Sequence, residues 1–237
     1  MAASWFIVGL GWLGEALAIE LARRGGDVRG THRSDCDLLT QELPALEGGV
    51  LFLNTPPLPT LSPQTYLARL VRVRPERVVF ISSTSVYGAR CGEVDEASAP
   101  APDTVGGEWL CEVEAELRKK FAAKLLVVRP GGLIGGERHP VFHLQGRSGL
   151  SGGNERVNLI HRADLIRIIL KAPAELTLVN AVAPAHPRKA EYYGAWAQKL
   201  SLPAPGFVDG PHSARLIGSR ALPTFYTDWR CPELDWI

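Results

Sequence analysis

Residues 78–88 read VVFISSTSVYG, a β-branched apolar run that stops abruptly at four hydroxyl side chains and a tyrosine. Hydroxyls in such a place either satisfy backbone groups left open where a strand ends, or face a ligand. Ser82, Ser83, Thr84, Ser85 and Tyr87 are thus one set of residues with chemical potential. A second lies near the N-terminus, where Gly9-Leu10-Gly11-Trp12-Leu13-Gly14 has the spacing G-x-G-x-x-G. In that spacing the first glycine permits a tight turn and the second lets the backbone approach a pyrophosphate. The third lets helix and strand pack closely, and the helix N-terminus faces the anion. A dinucleotide cofactor is the expected ligand, held by Gly9, Gly11, Trp12, Leu13 and Gly14.

The end of the second strand sets the choice of dinucleotide. An acid there would bind a free ribose 2′-hydroxyl, but the segment is Thr31-His32-Arg33-Ser34, with no acid before Asp35. Arg33 and Ser34 suit a 2′-phosphate, so NADP(H) is favoured over NAD(H). Asn54 and Thr55, where the third strand stops, and Ser82 complete the cofactor contacts expected at strand ends.

These residues need a scaffold, and the first half of the chain alternates apolar runs with helical patterns. Ser4–Val8, Asp27–Arg33, Gly49–Asn54, Val78–Ile81 and Leu125–Val128 read as strands. Helices are expected over 12–24, 64–73 and 108–121; in the first, Leu13, Leu17 and Leu21 share a face. Strands alternating with helices imply parallel pairing and right-handed crossovers. The expected class is α/β, a Rossmann-type doubly wound parallel sheet. Beyond it, eight glycines between Gly131 and Gly153 read as a long loop. A helix is expected at Ala163–Lys171, a strand at Leu176–Asn180 and a helix at Lys189–Leu200. The whole chain is read as one dinucleotide-binding domain, with a small C-terminal substrate lobe from about 131–156 and 203–237.

Composition narrows the function classes. Hydrophobic residues make up 46% and charged residues 22% of 237, ordinary values for a globular protein. A net charge of +1 gives no reason to expect nucleic acid or an anionic membrane as partner. The apolar N-terminal stretch SWFIVGLGWLG has no Lys or Arg before it, and Glu15 and Glu20 interrupt it, so neither a signal peptide nor a membrane span is expected. Cys36, Cys91, Cys111 and Cys231 form no CxxC pair, which argues against a metal site and suits buried, reduced thiols in a cytoplasm.

Four stretches in order, the glycine turn, SSTSVYG at 82–88, RPGGLIG at 129–135 and VNLIHRADL at 157–165, resemble the extended short-chain dehydrogenase/reductase family of the nucleotide-sugar epimerase and dehydratase type. The resemblance implies that Ser83 polarises a substrate oxygen and that Arg129, Pro130 and Gly131 lie beside a nicotinamide. It places His161 and Asp164 near the substrate end of the cleft. It also implies a tyrosine followed four residues later by a lysine, the family's proton relay. Here Val105 and Trp109 stand at those places, and no tyrosine of the chain has a lysine four residues on. This departure, and Val8 where the family's pattern commonly has another glycine, resemble the atypical, YeeZ-like members of the superfamily. Tyr87, Glu108 and His161 are the candidate replacements for the lost acid/base group. Arg138 and Arg147, in the glycine-rich loop with His139, are candidates for holding an anionic or sugar-like small-molecule substrate. Two functions follow as expectations: an NAD(P)(H)-dependent oxidoreductase or epimerase-like enzyme, or a non-catalytic dinucleotide-binding sensor or scaffold. Substrate and oligomeric state are not legible in the sequence.

Overall fold

The structure is a computed structural model and describes residues 4–208 and 215–235. Its central feature is a six-stranded sheet made of β1 (Trp5–Val8), β2 (Val28–Thr31), β3 (Val50–Leu53), β4 (Arg77–Ile81), β5 (Leu125–Pro130) and β6 (Leu178–Ala181). The spatial order is β2-β1-β3-β4-β5-β6. Val8 pairs with Thr31 on one side and Leu53 on the other, and the pairing from β2 through β5 is parallel throughout. Every residue of β3 and β5 is buried, as befits parallel strands covered on both faces.

The chain steps from β1 outward to β2, then crosses back to β3 on the other side of β1. That reversal opens a crevice at the carboxyl ends of β1 and β3, the place where open α/β sheets take ligands. The glycine turn follows β1, and Asn54-Thr55 follows β3, so topology alone carries both to this edge.

The helices begin where their sequence signals stand. Helix α1 (Trp12–Arg23) buries Leu13, Gly14, Leu17 and Leu21. Helix α2 (Pro63–Ala68) has Pro63 in its first turn and Ser62 as cap, its hydroxyl accepting from the Thr65 N–H. It ends earlier than the 64–73 expected, because Val73–Arg74 leaves the helix to pair with Leu46–Glu47. Helix α3 (Val105–Phe121) is capped by Thr104 and buries Trp109, Leu110, Val113, Glu114, Leu117 and Phe121 along one face. Helices α4 (Arg162–Lys171) and α5 (Lys189–Lys199) follow.

The chain forms two compact units. One is built from the chain up to Gly88 with Pro100–Arg129 and Ile169–Val179; the other from Ala89–Ala99, Pro130–Ile168 and the chain from Asn180 on. The second unit draws on more of the chain than the lobe expected from sequence. Inside the glycine-rich stretch it contains a strand, Gly132–Ile134, paired in parallel with Leu159–His161. A second parallel pair joins Gly92–Val94 to Arg215–Ile217. No helix among the described residues is long and apolar enough to cross a membrane. All four cysteines are free; Cys231 is buried, Cys36 and Cys111 are half-buried, and Cys91 is exposed, so Cys91 departs from the buried thiol expected.

His139, a candidate substrate contact, is instead a core residue of the second unit. Its Nδ1 accepts from the Val141 N–H at 3.2 Å, which leaves Nε2 to donate to the Tyr192 hydroxyl at 3.0 Å. That hydroxyl donates onward to the Leu234 carbonyl, and the Trp196 ring packs on the imidazole at 4.7 Å between centroids. Burial pushes the His139 pKa down from 6.5 to about 4. The unfolded chain therefore binds a proton that the folded chain refuses. Stability from this site is full above pH 6.5 and is lost as pH falls toward 4, with a limiting slope of about 1.4 kcal/mol per pH unit. Denaturant midpoints measured between pH 7 and 4 should fall in wild type and fall less steeply in His139→Asn; parallel curves would contradict it.

Candidate functional site

The glycine turn is held by the residues around it. The N–H groups of Gly9 and Leu10 both donate to the Thr31 carbonyl, at 3.1 and 3.0 Å, and the Asn54 side-chain amide donates to the Gly9 carbonyl at 3.1 Å. Asn54 thus fixes the turn through its side chain rather than presenting that amide to a ligand. Gly9 has φ +97°, and a Cβ there would meet the Asn54 carbonyl oxygen at 2.5 Å. A Cβ on Gly14 would strike the Gly9 carbonyl oxygen. Both glycines are required by the fold itself.

Gly11 is different. Its φ of −105° is open to any residue, and nothing lies within 4 Å of where its Cβ would be. No local strain and no packing contact calls for glycine at this position. The first intrahelical bond of α1 runs from the Glu15 N–H to the Gly11 carbonyl at 2.8 Å, so Gly11 sits at the positive end of the helix dipole. Leu13 is buried, which leaves only its backbone for a ligand. The hydroxyl of Thr31, at the carboxyl end of β2, is buried without a hydrogen-bond partner, an uncommon condition for a hydroxyl in a folded protein. Open space, a helix N-terminus and an unsatisfied hydroxyl fit a dinucleotide phosphate and its ribose.

Beyond β2, Asp35 accepts from the His32 N–H at 3.0 Å and from the Ser34 hydroxyl at 3.1 Å. The His32 N–H foremost, then Ser34, hold its carboxyl below the usual range. The first acid after this strand is thereby engaged in its own turn. Arg33 is exposed and pairs with Asp37 at 3.2 Å.

The hydroxyl cluster divides between two roles. Ser83 is half-buried and caps the short turn Thr84–Tyr87, its oxygen accepting from the Ser85 N–H at 3.0 Å. Ser82 turns inward and donates to Glu114 Oε1 at 2.6 Å. Glu114 also receives Arg129 through Nε at 3.0 Å and Nη2 at 2.6 Å, and Arg118 at 3.1 Å. Arg129 Nη1 donates to the Tyr87 hydroxyl at 2.8 Å. Glu114 and Arg129 are each 1% exposed and Tyr87 is fully buried. Burial opposes the Arg129 charge, but the Glu114 contacts outweigh it and raise the pKa above its usual value.

This network corrects three expectations. The side chains of Ser82 and Arg129 are spent on Glu114 rather than on a cofactor. Tyr87, expected as a candidate acid/base group, has its ring under the Arg129 guanidinium at 5.0 Å and its hydroxyl accepting from it, and its full burial makes it a partner of that ion pair rather than a group facing a ligand. Glu114 is the residue missed: it falls at helical spacing with Leu110, Val113 and Leu117 on the buried face, and an acid on an apolar face signals a buried partner.

The missing relay has a structural explanation. Trp109 is 4% exposed, donates from Nε1 to the Leu61 carbonyl at 2.6 Å, and stands edge-on to Tyr66 at 5.3 Å. Val105 is 65% exposed. The two positions supply one core aromatic and one surface aliphatic, and no proton donor.

In the second unit, a Cβ on Gly131 would meet the Asn158 carbonyl oxygen at 2.5 Å, so this glycine serves close backbone packing. Pro130 is buried at the end of β5. His161 Nδ1 accepts from the Ala163 N–H at 3.2 Å, and burial lowers its pKa. His161, Asp164 and Cys231 bring potential metal-ligand atoms within 4.8 Å of one another. Asp164, however, already accepts from the Tyr226 hydroxyl at 2.7 Å and from the N–H groups of Arg230 and Cys231 at 2.8 and 3.0 Å. Burial, then Asp164, pushes the Cys231 thiol up to about 11. A carboxylate committed to three donors makes this cluster a structural clasp. Arg138 and Arg147 lie exposed on the glycine-rich loop.

No family model matches the chain. Protein YeeZ of Escherichia coli (strain K12) is 31% identical over 96% of both chains. UDP-glucuronic acid 4-epimerase from Bacillus cereus, solved in complex with NAD, superposes with a TM-score of 0.77 at 14% identity, covering 97% of this chain and 93% of that one. A putative NAD-dependent epimerase/dehydratase from Methylobacillus flagellatus gives 0.71 at 21% identity, covering 98% and 94%. The central parallel sheet agrees with the structural likenesses. The chain belongs to the family of protein YeeZ of Escherichia coli.

Proposed function

We propose that the protein binds a nicotinamide dinucleotide at the Gly9–Gly14 turn and acts as an NAD(P)(H)-dependent oxidoreductase or epimerase-like enzyme on a small molecule. The observation that carries the reading is Gly11, a glycine with ordinary φ and empty space at its Cβ position, required only if something else occupies that space. The backbone of Gly11, Trp12 and Leu13 and the N-terminus of α1 hold the pyrophosphate. NADP(H) is the preferred form: Asp35 is engaged in its own turn, while Arg33 is exposed and Ser34 adjoins it. Bound nicotinamide supplies or accepts hydride. Ser83 is the side chain for orienting a substrate oxygen, because its hydroxyl accepts one bond and keeps its own proton to donate.

Arg33→Ala should weaken NADPH binding roughly tenfold while leaving NADH unchanged, the scale of one charge-assisted phosphate contact. Equal effects on both cofactors would remove Arg33 as the reader of the 2′-phosphate. The enzyme reading is tested by following NADPH oxidation and NADP⁺ reduction over a panel of carbonyl and sugar substrates, with Ser83→Ala beside wild type. Turnover that Ser83→Ala abolishes at unchanged cofactor affinity supports it. Trp109, turned into the core where a relay lysine would stand, favours a second reading, a dinucleotide-binding sensor without turnover; no activity across the panel with intact binding would select that one.

A further inference from the structure

The second unit holds a cavity of about 630 Å³, within the range of small-molecule sites. Its walls include Val182, Leu216, Leu222, Pro223, Tyr226 and Trp229, and no described lining residue is Asp, Glu, Lys or Arg. Three polar groups in the wall are already engaged. Tyr226 donates its hydroxyl to the buried Asp164, Ser219 bonds to Glu96, and His186 Nδ1 meets the Val157 carbonyl at 3.0 Å. A smaller cavity shares Leu216, Gly218 and Ser219 and carries Glu93 and Asp95 against a single arginine, Arg220, itself paired to Asp95 at 2.5 Å. Neither space offers the surplus positive charge that a diphosphate needs.

The walls are also fixed in advance. Asn158 donates to the Arg215 carbonyl at 3.1 Å and accepts from the Ile217 N–H at 2.8 Å. Glu96 accepts from the N–H groups of Asn180 and Arg220, each at 2.8 Å. Asp164 holds Tyr226 and the backbone of Arg230 and Cys231. Three polar side chains distant in sequence thus converge on the segment from 215 to 231, with the cavity beside it. Preorganised apolar walls bind without an ordering cost.

We infer that this cavity binds the apolar, uncharged body of a small molecule, an aryl or alicyclic group, rather than a nucleoside-diphosphate sugar. Naming that molecule as the substrate rests on the enzyme reading above; the chemistry of the cavity does not. Thr227, exposed at the cavity, is the polar side chain placed to orient such a ligand.

The test uses the full chain and the uncharged fluorescent probe N-phenyl-1-naphthylamine, with UDP-glucuronic acid as competitor and an NADPH titration run alongside. The expected result is saturable probe binding at one equivalent, undisturbed by millimolar UDP-glucuronic acid. Leu216→Asp, which puts a carboxylate in the wall, should weaken the probe at least tenfold, while Leu216→Met stays near wild type. Thr227→Trp, at an exposed position, should block the probe by filling space even if Leu216→Asp fails to fold. NADPH binding should be unchanged in the folded variants, so a failure of the cavity proposal and a failure of the cofactor reading are told apart. Non-saturable binding, displacement by UDP-glucuronic acid, or full binding in Thr227→Trp would overturn the inference; non-saturable binding with capture of a second protein would make the face a docking surface.

Discussion

Glu114→Ala should destabilise the protein by about 3–5 kcal/mol, the scale of breaking a buried ion pair from one side. The carboxylate accepts from Ser82, Arg118 and twice from Arg129, and Arg129 is 1% exposed. Removing Glu114 leaves a buried guanidinium with the Tyr87 hydroxyl and no counter-charge. The cost is one of desolvation, so it should largely disappear when the charge goes too. Glu114→Met with Arg129→Met, similar in volume and apolar, should recover most of the loss in a denaturant titration. If the double variant is as unstable as Glu114→Ala, the network acts through something other than charge burial.

Gly11→Val should leave the fold intact and reduce dinucleotide affinity by roughly a hundredfold or more, because its side chain would occupy the pyrophosphate position. The structure separates this glycine from its neighbours. A Cβ on Gly14 strikes the Gly9 carbonyl, whereas a Cβ on Gly11 meets nothing. Gly14→Ala should therefore cost stability, about 1–3 kcal/mol as for other overpacked sites, together with binding. Gly11→Val should cost binding alone. Matching melting curves with divergent cofactor titrations for Gly11→Val would be the signature; a destabilised Gly11→Val would mean that its glycine serves packing that the geometry does not show.

The parts legible in the sequence are those governed by local rules. The glycine turn, the β-branched strand runs and the helix spacing of Leu13, Leu17 and Leu21 each report on a few neighbouring residues, and the central sheet follows from their alternation. What was not legible depends on pairings far apart in the chain. The short strand Gly92–Val94 pairs with Arg215–Ile217, held by Glu96 and Asn158, and no local pattern announces that. Glu114 sits in a helix whose sequence, EWLCEVEAELRKK, reads as a charged surface; only its spacing with Leu110 and Leu117 betrays burial. Tyr87 and Arg129 were drawn toward a ligand by the resemblance to dehydrogenases, whereas in this chain their side chains answer to that buried acid.

The most direct test is a titration of the purified protein with NADPH and NADH, followed by cofactor fluorescence or heat, with Gly11→Val in parallel. The account predicts saturable NADPH binding, weaker NADH binding, and loss of both in a Gly11→Val protein that melts like wild type. No binding of either dinucleotide to wild type, or unchanged binding in Gly11→Val, would contradict it.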